Sequence, residues 1–211
     1  MEKKFSLRER KKIQTKISVL NAMLDGLSEK TFNEIRVEDI CEKVNISKVT
    51  FFKYFSMKED VLDYFVLRWQ YERTIEIHQK RFIGLEGIYQ VFKSVSEVPN
   101  ADKIIVSLIN YYSKIRNRPR KLELTAYERF TVDPQFENEH PIEILPLDKI
   151  FEVYIAESRH ILCEDKDKYI NQLITLFYGV PFQVHIRMLE KGALSNLYKE
   201  SLDLLFINKS G

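Results

Sequence analysis

Apolar residues recur along this chain with helical spacing almost everywhere, and nowhere with the alternation of a half-buried strand. Ile13, Ile17, Leu20, Leu24 and Leu27 fall on one helical stripe, and Ser6 with Glu9 forms a capping box in front of it. Val37, Ile40, Cys41 and Val44 mark a second, short helix. Asn45-Ile46-Ser47 reads as a turn, because Asn tolerates the left-handed backbone that ends a helix and Ser caps the next one. Ile46 and Phe51 occupy the positions of a hydrophobic staple around the start of a third helix. That helix is short, since Ser56-Met57-Lys58-Glu59 is a further capping box and predicts a fourth helix from Ser56.

The fourth helix is long on this reading, with Val61, Leu62, Phe65, Val66 and Trp69 in helical register and an end near Gln79 to Phe82. Further helices are predicted over Leu85–Val95, Ala101–Ile115, Pro119–Phe130, Leu147–Leu162, Lys168–Leu189 and Leu194–Phe206, separated by prolines and Gly192. Thr131 to Pro146, with Pro134, Pro141 and Pro146, reads as an irregular loop. Lys168–Leu189 is apolar on nearly every face, which predicts burial on all sides, and Pro181 within it predicts a kink. Leu194, Leu197, Tyr198, Leu202 and Leu205 form a single wide stripe. Two such helices need more cover than one small domain supplies, so a homodimer through residues 168–206, packed as a four-helix bundle, is expected. The whole chain reads as all-α.

Composition narrows the function. At 211 residues, 45% hydrophobic and 30% charged, the chain has enough apolar mass for a core and lies outside the disordered class. Its 6 glycines include no phosphate-cradling motif. Asn171 to Ile186, within the longest stretch free of Asp, Glu, Lys and Arg, falls short of a membrane span and contains Asn171, Gln172, Pro181 and Gln183, so no membrane partner is expected. Cys41 and Cys163 lie far apart, and no apolar run follows the basic start of the chain, which points to a reduced, cytoplasmic protein. The four histidines lack metal-site spacing, and the nearest cluster, Asp133, Glu137, Glu139 and His140, sits in the Pro-rich loop as solvated charge. No cofactor, metal site or catalytic residue is therefore expected, and the chain does not read as an enzyme. Residues 1–60 carry 13 Lys and Arg against 10 Asp and Glu, with Lys3, Lys4, Arg8, Arg10, Lys11, Lys12 and Lys16 concentrated at the start, which suits a polyanion partner.

Three short helices with a tight turn between the second and third are the parts of a helix-turn-helix. On the third, Phe51 and Phe55 take the core side, and Ser47, Lys48, Thr50, Lys53 and Tyr54 supply donors on the other, as a recognition helix needs. The alternative is a helical structural or interaction protein without sequence-specific DNA binding, which explains the helices but not those residues. Val37 to Leu62 resembles the amino-terminal domain of TetR-family transcriptional regulators, keeping Val37, Asp39, Ile40, Ser47, Thr50, Tyr54, Phe55, Lys58, Glu59 and Leu62 of that family's pattern. The resemblance covers about residues 10–65. It implies a DNA-binding domain over residues 1–57 and a larger helical ligand-binding and dimerisation domain over 58–211. It also implies that Ser47, Lys48, Thr50, Lys53 and Tyr54 face double-stranded DNA and that Lys58 meets a phosphate. Arg36, where that family commonly has a capping Thr, could itself reach a phosphate, whereas Asn45, Val49 and Phe52 depart from its usual Gly, Gly and Tyr. A ligand-responsive repressor is thereby expected, its apolar or aromatic effector lined by residues such as Trp69, Tyr89, Tyr111, Tyr112, Tyr127, Phe130 and Phe177.

Overall fold

Ser6 accepts the backbone N–H of Glu9 while the Glu9 carboxylate accepts that of Ser6, so helix α1 (Leu7–Gly26) begins at the expected capping box. The structure is a computed structural model and describes residues 5–114, 122–136, 142–158, 165–190 and 192–206. Those residues form ten α-helices and no strand: after α1 come α2 (Val37–Val44), α3 (Lys48–Tyr54), α4 (Asp60–His78), α5 (Gly84–Ser96), α6 (Ala101–Lys114), α7 (Ala126–Val132), α8 (Leu147–Glu157), α9 (Lys166–Ile186) and α10 (Ala193–Phe206). The chain is all-α. No described helix is long and apolar enough to cross a membrane.

Two compact units divide it: Met1–Glu72 with Tyr111–Ile142, and Arg73–Asn110 with Glu143–Gly211. The division differs from the expected cut at residue 57 because α4 carries the first unit on to Glu72 and α7 returns to pack on α1.

In the first unit, Ile13, Leu20, Met23 and Leu27 of the first helical segment are buried with Ile40, Phe51, Phe55 and Val61. The rings of Phe51, Phe55 and Tyr64 follow one another at 5.8 and 5.7 Å. Lys16 enters this core, with its ammonium 4.1 Å from the centre of the Tyr64 ring and ion-paired to the fully buried Glu128 of α7. Thr125 and Glu128 form a capping box that opens α7. Burial alone would raise the Glu128 carboxyl, but the hydrogen bond and charge of Lys16, with the Thr125 amide, hold it below its ordinary value. Arg68 adds a 2.9 Å bond to Thr131 beside it.

The second unit is joined by rings. Phe92 of α5 stacks on Phe151 of α8 at 5.6 Å and meets Phe177 of α9 and Tyr198 of α10 edge-on at 5.9 and 4.8 Å. Gly87 is needed for the α5–α8 approach, since a Cβ there would lie 2.2 Å from the Tyr154 ring. Pro181 has no N–H to give the carbonyl of Phe177 one turn back, and the buried Tyr198 hydroxyl donates to that carbonyl at 2.7 Å.

Several boundaries differ from the sequence expectation. Helix α4 starts at Asp60, not Ser56, because the Asp60 carboxylate accepts the amides of Ser56 and Met57 at 2.7 and 3.2 Å and fixes a turn ahead of the helix. It ends at His78, closed by Lys80 at φ 50. The helix expected from Pro119 begins at Ala126, where the Thr125 box caps it, and it runs to Val132, into the expected loop. Helix α8 stops at Glu157 and α9 starts at Lys166 and ends at Ile186. Ile115, Pro119, Glu137, Glu139, His140, Pro141, His160, Leu162 and Cys163 lie outside the described residues. In this single chain α9 is not buried all round: Asn171, Gln172, Thr175, Gly179, Phe182 and Ile186 share an exposed face.

Candidate nucleic-acid interface

Helix α2 ends because Asn45 enters the left-handed region, with φ 56 and ψ 52. Its N–H reaches the Glu42 carbonyl at 3.1 Å, and the Ile46 N–H reaches that of Cys41 at 3.0 Å. Ser47 then caps α3, its hydroxyl accepting the Thr50 N–H at 3.1 Å. The turn is thus three residues long and closed by hydrogen bonds at both helix ends. Phe51 and Phe55, both buried, fix the rotation of α3 about its axis.

That rotation decides what α3 shows to solvent. Lys48, Val49, Phe52 and Lys53 are exposed, while Thr50 and Tyr54 are only half-exposed at the margin of the buried side. Val49 is 80% exposed and Phe52 50%. At about 100° per residue the exposed arc spans about 140°, with Lys48 on one edge, Lys53 on the other, and Phe52 and Val49 between them. Sorting the helix by polarity therefore misplaces its outer face: it counts Thr50 and Tyr54 outward and treats Val49 and Phe52 only as departures from a pattern. Phe51 carries part of the signal, since Val49, two residues before it, points about 160° away from its side, whereas the exposure of Phe52, three residues before Phe55, is visible only in the structure.

The cations differ in how they are held. Lys48 is ion-paired to Glu38 of α2, both more than half exposed, and the hydrogen bond and charge of that lysine hold the Glu38 carboxyl below its ordinary value. Arg36 is exposed and reaches Asp39 at 3.2 Å, and Lys30 meets the same carboxylate at 2.9 Å. Arg36 makes no side-chain cap for α2. Lys58 is turned inward instead of toward solvent: its ammonium donates to the carbonyls of Phe32 and Ile35 at 2.7 and 2.8 Å and lies 4.4 Å above the centre of the Phe32 ring. Burial pushes its pKa down. Two of its three donors are committed to the loop between α1 and α2, so one N–H remains for a phosphate. Arg8, Arg10, Lys11 and Lys12 are exposed on α1.

Of the aromatic residues expected around an effector, Tyr111 meets Tyr112 at 5.3 Å and Tyr127 stacks on Phe130 at 6.0 Å. Trp69, Tyr111, Tyr112, Tyr127 and Phe130 belong to the first unit, and Tyr89 and Phe177 to the second. Tyr127 and Phe130 face Phe5 at 4.7 and 5.5 Å, and Tyr112 donates to Asp63. Tyr111 lies beside Met57, and burial pushes its phenol up to about 12. Tyr89 donates to Asp203 at 2.7 Å, Phe177 packs on Phe92, and Trp69 is half-buried on α4. A groove of about 430 Å³ in the second unit is lined by others, Leu176, Leu204 and Leu205 among them. Among the described residues no group of three or more His, Cys, Asp or Glu is placed to hold a metal. No family model, curated protein or solved structure matches the chain.

Proposed function

We propose that this chain is a non-catalytic, DNA-binding transcriptional regulator of the TetR kind, a cytoplasmic repressor that binds a near-palindromic operator as a homodimer. The observation that carries this reading is the outward arc of α3, held by a three-residue turn and two buried phenylalanines and edged by a lysine on each side. A helix presented in this way suits the major groove, which is about 12 Å wide and admits one α-helix. Lys48, Lys53 and Arg36 supply cations, Ser47, Thr50 and Tyr54 hydroxyls, and Lys58 its remaining N–H, toward phosphates on either side. The Lys48–Glu38 pair does not oppose this, because an exposed pair contributes little and exchanges readily.

Dimerisation is drawn from α9 and α10. Phe182, Ile186 and Leu204 are 46%, 58% and 67% exposed, and Leu204 lines a groove with Leu176 and Leu205, apolar surface that a second copy would cover. The effector is an apolar or aromatic small molecule that lowers operator affinity by binding the DNA-free state more tightly.

Selection from a randomised duplex library tests the reading. A near-palindrome with half-sites about 34–36 Å apart is expected, with affinity falling steeply with salt and Lys53→Ala reducing the salt slope by about 1. Failure of folded protein to enrich any duplex in a salt-sensitive way would overturn it. Sedimentation of the Phe182→Asp, Ile186→Asp double variant should show monomers where the parent is dimeric.

A further inference from the structure

We propose that Val49 and Phe52 read thymine C5-methyl groups in the major groove, so that this protein's sequence preference rests on methyl contact at the centre of α3. The inference builds on the DNA-binding reading above. Two apolar side chains stand at the middle of the exposed arc, at 80% and 50% exposure, in a helix anchored by the fully buried Phe51. Phe52 meets the Phe51 ring edge-on at 5.3 Å, yet half of it stays exposed, and the anchoring of α3 against its own unit is made by the buried Phe51 and Phe55. Thymine is the base that offers an apolar group in the major groove, and its methyl meets aliphatic and aromatic side chains directly.

The flanking charges select the occupant. Lys48 and Lys53 border the apolar pair on both sides, so a second copy seated on this patch would bring lysines against lysines, while a duplex brings a phosphate strand to each edge. Size agrees: two side chains offer far less than the roughly 800 Å² per partner of a stable protein interface, yet they span adjacent base pairs. The absence of a hydroxyl on Phe52 fits the same division of labour, in which the centre of the helix makes no hydrogen bond and the edges make the ionic ones. Both side chains lie on one continuous surface, spaced three residues apart, as stacked neighbours on a helix.

Replacing single thymines by deoxyuridine in the duplex recovered by selection removes the methyl and nothing else. At the positions under α3 the parent protein should lose about fourfold in affinity per methyl. Val49→Ser should bind the thymine and deoxyuridine duplexes within about 1.5-fold of each other at one of those positions, and Phe52→Ser should do so at a neighbouring one. Both residues are exposed, so circular dichroism should show both variants folded. If the parent binds a selected duplex yet ignores every deoxyuridine replacement, the inference is overturned while the DNA-binding reading stands. The same holds if Val49→Ser and Phe52→Ser lower affinity without changing the response to methyl removal. If the two variants instead change the sedimentation of the free protein, the patch is a contact between copies and the inference is likewise overturned. If no duplex is enriched at all, the DNA-binding reading fails first and the inference with it.

Discussion

In the first unit the buried cation Lys16 pairs with Glu128 across 112 residues of sequence, whereas in the second the buried pair Arg73–Glu76 lies within one turn of α4. There the long-range union is made by the rings of Phe92, Phe151, Phe177 and Tyr198. The difference has a thermodynamic meaning. Ring packing responds to volume and hardly to pH, while a desolvated ion pair joining distant elements ties their union to protonation. The unit that carries α3 is thus held partly by charge, and the other by shape.

Emptying the ring cluster should have the largest effect. Phe92→Ala removes the ring shared by three partners and should cost about 3–5 kcal/mol. Hydrogen exchange should show the loss in α5, α8, α9 and α10, and a cost below about 1 kcal/mol would mean that the cluster does not hold the second unit.

Lys16→Met should cost the first unit about 3 kcal/mol, because Glu128 is left buried without its partner. Adding Glu128→Leu should restore most of it, and urea titration of the single and double variants measures both. A neutral Lys16→Met would place the contrast between the units elsewhere. The same pair predicts the acid response. In the folded chain the Glu128 carboxyl lies below its ordinary value of 4.5, so its contribution to stability is fully present above that pH and is lost as pH falls through the lowered folded value. The parent should therefore lose stability in that window more steeply than Lys16→Met, Glu128→Leu, and equal acid profiles would sink the assignment.

A smaller effect probes the exception within the second unit. Tyr198→Phe should cost about 1–2 kcal/mol by leaving the Phe177 carbonyl short of a donor, and less in a Pro181→Ala background, where the new backbone N–H can take that carbonyl. A double-mutant cycle by thermal melting reads the coupling; no coupling would mean that Pro181 and Tyr198 act independently.

Legibility follows the distance between interacting groups. The caps of α1 and α3 and the Asn45 turn are readable because each uses hydrogen bonds between residues at most five apart, whose partners stand next to each other in the sequence. The start of α4 is harder to place although its signal is equally local: Glu59 and Asp60 both offer a carboxylate, and only geometry decides which reaches the Ser56 amide. The Thr125-Glu128 box is equally local, yet a proline at 119 suggests an earlier start and hides it. Lys58 reads as a surface cation, since nothing near it in sequence shows the Phe32 and Ile35 carbonyls, 26 and 23 residues away.

By itself, then, the order of residues determined the all-α class, most helix positions and the turn before α3, because periodic apolar spacing and capping act within one or two turns of chain. Only the tertiary structure decided which arc of α3 faces solvent, that Lys58 serves a loop, that Lys16 is buried against Glu128 and that α9 keeps an exposed face. Each of these depends on which distant surface removes water from a side chain. Burial is a property of the neighbours that arrive, and the chain's local pattern does not contain them.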